Sequence, residues 1–458
     1  MASYIAERAL LDTRVTRNVR IAVDDAGYIE SVTPDAIPVA GDTWLPGLTI
    51  PGMPNVHGHA FQRAMAGLAE ARESENDSFW SWRARMYRLV AELTPEQVAD
   101  IAAQTYAEML CAGYTQAVEF HYLHNQVDGS PYADPLEMGR RIFDAAQRSG
   151  IGLTLLPTLY RFGDFGGAPP SAGQRRFVMD TDGYLRRLTR LSALTADLPR
   201  TRVGAALHSL RAVSLTDLAD VAEGAHTIDG DMPIHIHVAE QDKEVRACRE
   251  AHGTTPVRLL LDNADVDPRW CLIHATRTDA KERDDIAATG ATVGLCPTTE
   301  ANLGDGIFDL DGFLDAGGVF GIGSDSHVSI DPRSEVRLLE YQARLRHRAR
   351  NVHASSRIPS TGARLFHAAA DGGQRAAGAA VGRLAPGFRA DLVVLDTDHP
   401  SLAGAKGDVI LDAWIFCEHG SPVRDVAVAG DWVVTDGEHR RRAELAAAFR
   451  DSVRGLHG

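Results

Sequence analysis

The feature that most restricts this chain is a unit repeated through its middle: a short apolar run ending in polar residues, then an amphipathic stretch of helical period. Eight such runs can be read: Leu48 to Val56, Thr115 to Glu119, Ile151 to Leu156, Val203 to Leu207, Pro233 to Val238, Cys271 to His274, Ala291 to Leu295 and Val319 to Gly323. Apolar runs alternating with helices are the pattern of βα units and a parallel sheet. The stretch from Thr94 to Ala112 shows the helical half, opening on a Thr-Pro-Glu start signal. Eight units point to a closed (β/α)8 barrel of TIM type rather than an open sheet. Such a barrel also accommodates 458 residues, a length beyond the usual single core. In these barrels the chemistry sits at the C-terminal ends of the strands, so polar residues suited to chemistry should follow the runs.

Both chain ends read differently. Val19 to Val23, Tyr28 to Val32 and Thr43 to Leu45 are short β-like runs broken by turn residues, and Asp391 to Asp396, Asp425 to Gly430 and Trp432 to Val434 repeat the pattern before a short helix from about Arg440. The expectation is a small β-sandwich domain built from residues 1–50 and 381–458, flanking a catalytic barrel over residues 51–380. A hydrophobic fraction of 44% and a charged fraction of 24% are those of a globular chain. The net charge of −15 argues against a nucleic-acid partner, which needs a basic face. The cysteines (Cys111, Cys248, Cys271, Cys296, Cys417) are odd in number, scattered and never in a CxxC pair. With no apolar core in the opening residues and no run of ~20 apolar residues, a cytoplasmic protein without a membrane partner is expected.

After the first run comes Asn55-Val-His57-Gly-His59. On an extended segment an HxH pair places both imidazoles on one side. Alone the pair is weak, because 18 histidines in 458 residues yield ~0.7 such pairs by chance. A second pair, His235-Ile-His237, lies in the fifth run. Joint placement carries more weight: His57 and His59 end run one, His237 run five, His274 run six and Asp325 run eight. Three imidazoles and one carboxylate drawn from these suit Zn²⁺, with Fe²⁺ or Mn²⁺ also accepted by such a donor set. Further polar residues follow other runs: Glu119, His121 and Tyr122 after run two, His208 and Arg211 after run four. Gln62 lies close behind the metal pair, and Arg83 lies in Trp80-Ser-Trp82-Arg83. Arginines grouped with Tyr, His and Gln suit a carboxylate-bearing small molecule better than a flat base, because a guanidinium matches a carboxylate bidentately.

The stretches Pro51-Gly-Met-Pro-Asn-Val-His57-Gly-His59, His237-Val-Ala-Glu240, the lone His274, Ser324-Asp325 and the tail Gly382-Arg-Leu-Ala-Pro-Gly387 with Ala390-Asp-Leu-Val-Val-Leu-Asp396 resemble the amidohydrolase superfamily. The resemblance implies a single metal, because the carboxylated lysine that bridges two metals in binuclear members would end strand four, where this chain reads Leu207-His208-Ser209. It also implies that His57, His59, His237 and Asp325 hold that metal, one per subunit, that Glu240 is the proton shuttle, that His274 orients the metal-activated water and that Asp325 shares in catalysis. Within the superfamily, His57-Gly-His59-Ala-Phe-Gln62, His208-Ser-Leu-Arg211, His237-Val-Ala-Glu240-Gln241 and Cys296-Pro-Thr-Thr-Glu300-Ala-Asn-Leu-Gly304 are most similar to the formimidoylglutamate deiminases of histidine degradation. That likeness implies attack of metal-activated water on the C=N carbon of N-formimidoyl-L-glutamate, giving N-formyl-L-glutamate and ammonia. It implies that Gln62, Arg83, Tyr122, His208 and Arg211 grip a dicarboxylate. It further implies a homodimer, in which Arg83 serves its own or the partner's site. The competing reading is a mononuclear-metal deaminase or chlorohydrolase acting on a nucleobase or an S-adenosylhomocysteine-like ring, which shares the metal set but calls for a flat aromatic pocket.

Overall fold

The computed structural model describes residues 2–71, 78–417 and 419–456. Eight parallel strands form the barrel: Met53–Gly58, Tyr114–His121, Gly152–Leu159, Ala205–Ser209, Ile234–Val238, Trp270–His274, Thr292–Leu295 and Val319–Ile322, with the short strand Thr201–Val203 beside the third. Their residues are almost all buried, as expected of a sheet covered on both faces. The first and last strands close the ring through a parallel bridge between Gly58 and Asp325, with the His59 amide donating to the Asp325 carbonyl (3.0 Å) and the Asp325 amide to the His57 carbonyl (3.0 Å). The seam of the barrel is therefore made by the residues expected to hold the metal.

The helix expected from Thr94 to Ala112 is Pro95–Ala112. Thr94 caps it, its side chain accepting from the Gln97 amide while the Gln97 side chain accepts from the Thr94 amide, and Gly113 ends it in the left-handed conformation at φ +101°. At the opposite end of the barrel from the strand C-termini, helix Thr361–Ala377 closes the floor. The Ala376 and Ala377 carbonyls accept from His235 Nε2 and Thr154 Oγ1, each at 2.8 Å.

A separate eight-stranded sheet draws on both termini. Ala2–Leu11, Arg14–Val23, Ile29–Thr33 and Thr43–Pro51 join Leu392–Leu395, Val423–Val428, Asp431–Thr435 and Glu438–His439, the two groups meeting where Leu392 to Leu395 pair with Pro51 to Leu48. Two expectations need correction. The run Leu48 to Val56 is not one barrel strand: it divides at Gly52, with Thr43–Pro51 in the small sheet and Met53–Gly58 in the barrel. Gly52 permits the crossing because a Cβ there would lie 2.1 Å from Thr115 Oγ1. Strand Ala2–Leu11 lies outside the β-like runs expected in the first fifty residues. Its Ala, Glu, Arg and Leu residues favour helix locally, but it pairs on both sides, with Arg14–Val23 and Thr43–Pro51, and that pairing overrides propensity. Among the described residues no helix is long and apolar enough to cross a membrane.

Candidate metal centre and active site

Five non-glycine residues at the C-terminal ends of the barrel strands, Ala239, His274, Ala275, Asp325 and His327, have φ between +43° and +70°. Such backbone is sparsely populated and costs ~1–3 kcal/mol per residue, so its concentration at one rim marks the functional end. Close approach there also requires glycine: a Cβ on Gly58 would lie 2.5 Å from His327 Cε1, and one on Gly323 2.7 Å from the His57 carbonyl oxygen.

The imidazoles of His57, His59 and His237 converge within 4.8 Å, as do those of His57 and His274 with Asp325. His59 Nδ1 lies 2.7 Å from the Phe120 carbonyl and His237 Nδ1 2.8 Å from the His208 carbonyl. Each of those nitrogens must carry the hydrogen, which leaves the Nε2 lone pair directed inward. His237 Nε2 and His57 Nε2 lie 3.1 Å apart, and Asp325 Oδ1 lies 3.5 Å from His57 Nε2 and 3.4 Å from His59 Nε2. Burial, with the mutual repulsion of the rings, holds His57 and His237 well below the ordinary histidine range and lowers His59. Unprotonated nitrogens and a carboxylate aimed at one point form the donor set of a divalent transition metal, and the residues fit it.

His274 is the nearby imidazole whose surroundings favour charge. Burial opposes its protonation, but Glu240, Glu300 and Asp325 outweigh that and raise it to about 10. Its Nε2 lies 3.7 Å from Glu240 Oε1, and its Nδ1 3.3 Å from Glu300 Oε1. Burial, with Asp325 and Glu244 close by, raises Glu240 to about 7, near the value suited to moving protons at neutral pH. The Glu240 amide donates to Glu244 Oε2 (3.0 Å), and Gln241 Nε2 donates to Asp305, which burial pushes up to about 9.

These groups open into a cavity whose lining includes all five residues expected to bind substrate: Gln62, Arg83, Tyr122, His208 and Arg211. Gln62 Nε2 donates to the Tyr122 hydroxyl (2.9 Å), while Gln62 Oε1 and Arg211 Nε are buried without a hydrogen-bond partner among the described residues. Buried polar atoms of this kind call for a ligand or solvent partner. Burial works against the Arg211 charge, and Glu244 and Glu240 help sustain it. Arg83 lines the cavity of its own chain, its guanidinium 4.3 Å from the centre of the Trp80 ring and 5.4 Å from that of Tyr87.

Two residues placed near the pocket by sequence do not line it. Glu119 turns beneath the metal pair, accepting from the Ala60 amide (2.9 Å) and the Tyr106 hydroxyl (3.0 Å). His121 packs its ring 5.7 Å from that of His124. The strand alternates its faces, so of this cluster only Tyr122, just past the strand end, reaches the cavity. His235 is likewise not a ligand, since its ring serves the floor helix. Sequence reasoning missed the wall formed by Phe79, Trp82, Met86 and Tyr87 of helix Phe79–Val90. Together with Arg83 their spacing of i, i+3, i+4, i+7, i+8 describes one helix face, and that signal was available.

Residues 48–433 match the model of the amidohydrolase family. The chain is 51% identical to a formimidoylglutamate deiminase from Pseudomonas aeruginosa, over 98% of each sequence. It is 26% identical to a 5-methylthioadenosine/S-adenosylhomocysteine deaminase from Natronomonas pharaonis, over 95% of this chain and 92% of that protein. Among solved structures, an amidohydrolase from Brucella melitensis is similar along all of both chains, with a TM-score of 0.94 and 45% identity. An adenosine deaminase from Xanthomonas campestris shares the fold at a TM-score of 0.82 and 21% identity, over 100% of this chain and 98% of that one.

Proposed function

Because this chain belongs to the amidohydrolase family, we propose that it is a zinc-dependent deiminase hydrolysing N-formimidoyl-L-glutamate to N-formyl-L-glutamate and ammonia in histidine degradation. The observation that carries this reading is a carboxylate-binding group set beside metal-ready imidazoles: Arg211, Arg83, His208 and Gln62 share one cavity with His59, His237 and Asp325. A ring deaminase has no use for two arginines there, and the ring deaminase compared above is the more distant relative, at 26% against 51% identity.

In this reading His57, His59, His237 and Asp325 hold the metal, which when bound supplies the Lewis acidity that makes hydroxide accessible near neutral pH. Arg211 and Arg83, with His208, Gln62 and Tyr122, hold the two glutamate carboxylates and so fix the amidine carbon against the reacting groups. Asp325 accepts a proton from the attacking water. As the C–O bond forms, the C=N π pair moves to nitrogen, and His274 Nε2 donates a hydrogen bond to the incoming oxygen. With the substrate reacting as its amidinium, H₂N⁺=CH–, the Glu240 carboxyl delivers one proton to that nitrogen to make –NH₃⁺, the C–N bond breaks with its electron pair leaving on ammonia, and the Glu240 carboxylate takes the C–OH proton to give the formyl carbonyl.

The proposal assigns this chemistry to residues 51–380, with 1–50 and 381–458 as the supporting β-domain. It includes a homodimer and a cytoplasmic setting; the latter is supported by five free cysteines, of which Cys248, Cys271 and Cys296 are buried. The test is ammonia release by zinc-loaded protein. N-formimidoyl-L-glutamate should be turned over, and guanine, cytosine and S-adenosylhomocysteine should not; the reverse pattern overturns the reading.

A further inference from the structure

Glu300 belongs neither to the metal set nor to the carboxylate grip. It sits in Thr298-Thr-Glu300-Ala-Asn302, within the short helix that follows the seventh barrel strand, and it is buried. Its carboxyl is held at two points: Oε1 accepts the Cys296 amide at 2.8 Å and lies 3.3 Å from Nδ1 of His274. An oxygen already receiving one N–H is acting as an acceptor, so the ring nitrogen facing it is the one that carries hydrogen. With Nδ1–H engaged, Nε2 is the nitrogen presented to Glu240 Oε1 at 3.7 Å and Asp325 Oδ2 at 3.9 Å, on the cavity side. The ring needs such an anchor, because His274 and Ala275 both leave the strand in left-handed backbone, φ +70° and +50°.

We propose that Glu300 is the positioning residue for His274: by accepting from Nδ1–H it fixes the orientation of the ring, so that Nε2–H is aimed at the oxygen that adds to the substrate carbon. This role rests on the deiminase reading, in which His274 touches the reacting atoms. A mere brace for the helix after strand seven makes different predictions.

The test uses zinc-loaded Glu300→Leu and Glu300→Gln, with Glu300→Ser, too short to reach the ring, in place of the leucine variant if that does not fold. In Glu300→Leu, kcat for ammonia release should fall on the order of 10–100-fold, the range for losing a partner that orients an active-site imidazole. KM should stay within about twofold, and Glu300→Gln, whose amide oxygen accepts the same hydrogen, should recover most of the loss. Independently of turnover, ¹⁵N-histidine spectra, with His274 assigned by its loss in His274→Gln, should show a hydrogen-bonded Nδ1–H in the parent whose signal shifts or is lost in Glu300→Leu. Parent protein that releases no ammonia refutes the deiminase reading, while the spectra still judge Glu300. The positioning role is overturned by unchanged ring signals, by a kcat within about twofold of the parent, or by a KM that rises as far as kcat falls.

Discussion

Replacing Glu119 by glutamine should remove a pH dependence that the parent protein carries in its core. Glu119 is 1% exposed and lies under the metal pair, where it accepts from the Ala60 amide, next to His59, and from the Tyr106 hydroxyl. Burial outweighs those two hydrogen bonds and raises it from 4.5 to about 8. A carboxyl with a raised folded-state pKa binds more protons folded than unfolded, so stability is greatest below about 4.5 and is lost as pH climbs to about 8. At ~1.4 kcal/mol for each tenfold step in proton affinity, the full loss is about 5 kcal/mol. An unfolding entropy of ~2.1 cal/mol/K per residue makes 1 K worth ~1 kcal/mol for a chain of 458 residues, so the expected change is ~5 K in Tm. Glutamine accepts from the Ala60 amide through Oε1, and the Tyr106 hydroxyl rotates to accept from its NH₂. Thermal unfolding of parent and variant in matched buffers from pH 5 to 9 should show the Tm of Glu119→Gln gaining on the parent by about that amount. Comparing the two cancels other groups that titrate in the same window. A Tm difference constant to within about 1 K would refute the reasoning, since Glu119 would then be as ionised folded as unfolded.

Glu240→Gln should retain zinc by elemental analysis but lose ~10²–10⁴ in kcat, because it removes proton transfer and no ligand; loss of zinc in this variant would show a misassigned centre. Arg211→Met should raise KM by roughly 10²–10³, equivalent to ~3–4 kcal/mol for a carboxylate left unpaired in a buried site; steady-state kinetics with an unchanged KM would place Arg211 outside the grip. Gly58→Ala should lower both Tm and zinc occupancy, because its Cβ, placed between His57 and His59 at the barrel seam, would press on the His327 ring at 2.5 Å. A variant of parent-like Tm and zinc content would mean that the His327 ring moves freely.

Much of the site was legible because its signals are local. Two residues on a strand separated by one must face the same side, so His57 and His59 can be paired without a structure. Placing His237, His274 and Asp325 beside them needed one further rule, that the strands of a parallel barrel all point the same way and end at one rim. The limit of such reasoning is height along the barrel axis. His235 and His237 are equivalent in pattern and face the same way, yet two residues of rise place one ring against the Ala376 carbonyl at the floor and the other 3.1 Å from His57 at the rim. Glu119 departs from expectation for a related reason: a carboxylate at a strand end reaches a cavity only where no backbone donor takes it, and here the Ala60 amide does.

The order of apolar runs and the spacing of histidines, arginines and turn residues were sufficient by themselves for a barrel framed by β-rich ends and for the expectation of a metal site beside arginines suited to carboxylates. Those conclusions depend on backbone periodicity and residue chemistry, which are written along the chain. The tertiary structure alone decided that the strand leading into the barrel divides at Gly52, that Ala2–Leu11 is a strand despite its helix-forming residues, and that Glu300, Glu244 and Asp305 stand behind the reacting groups. These are matters of contact between segments remote in sequence. Burial, strand pairing and the distance between two charges exist only once those segments have come together.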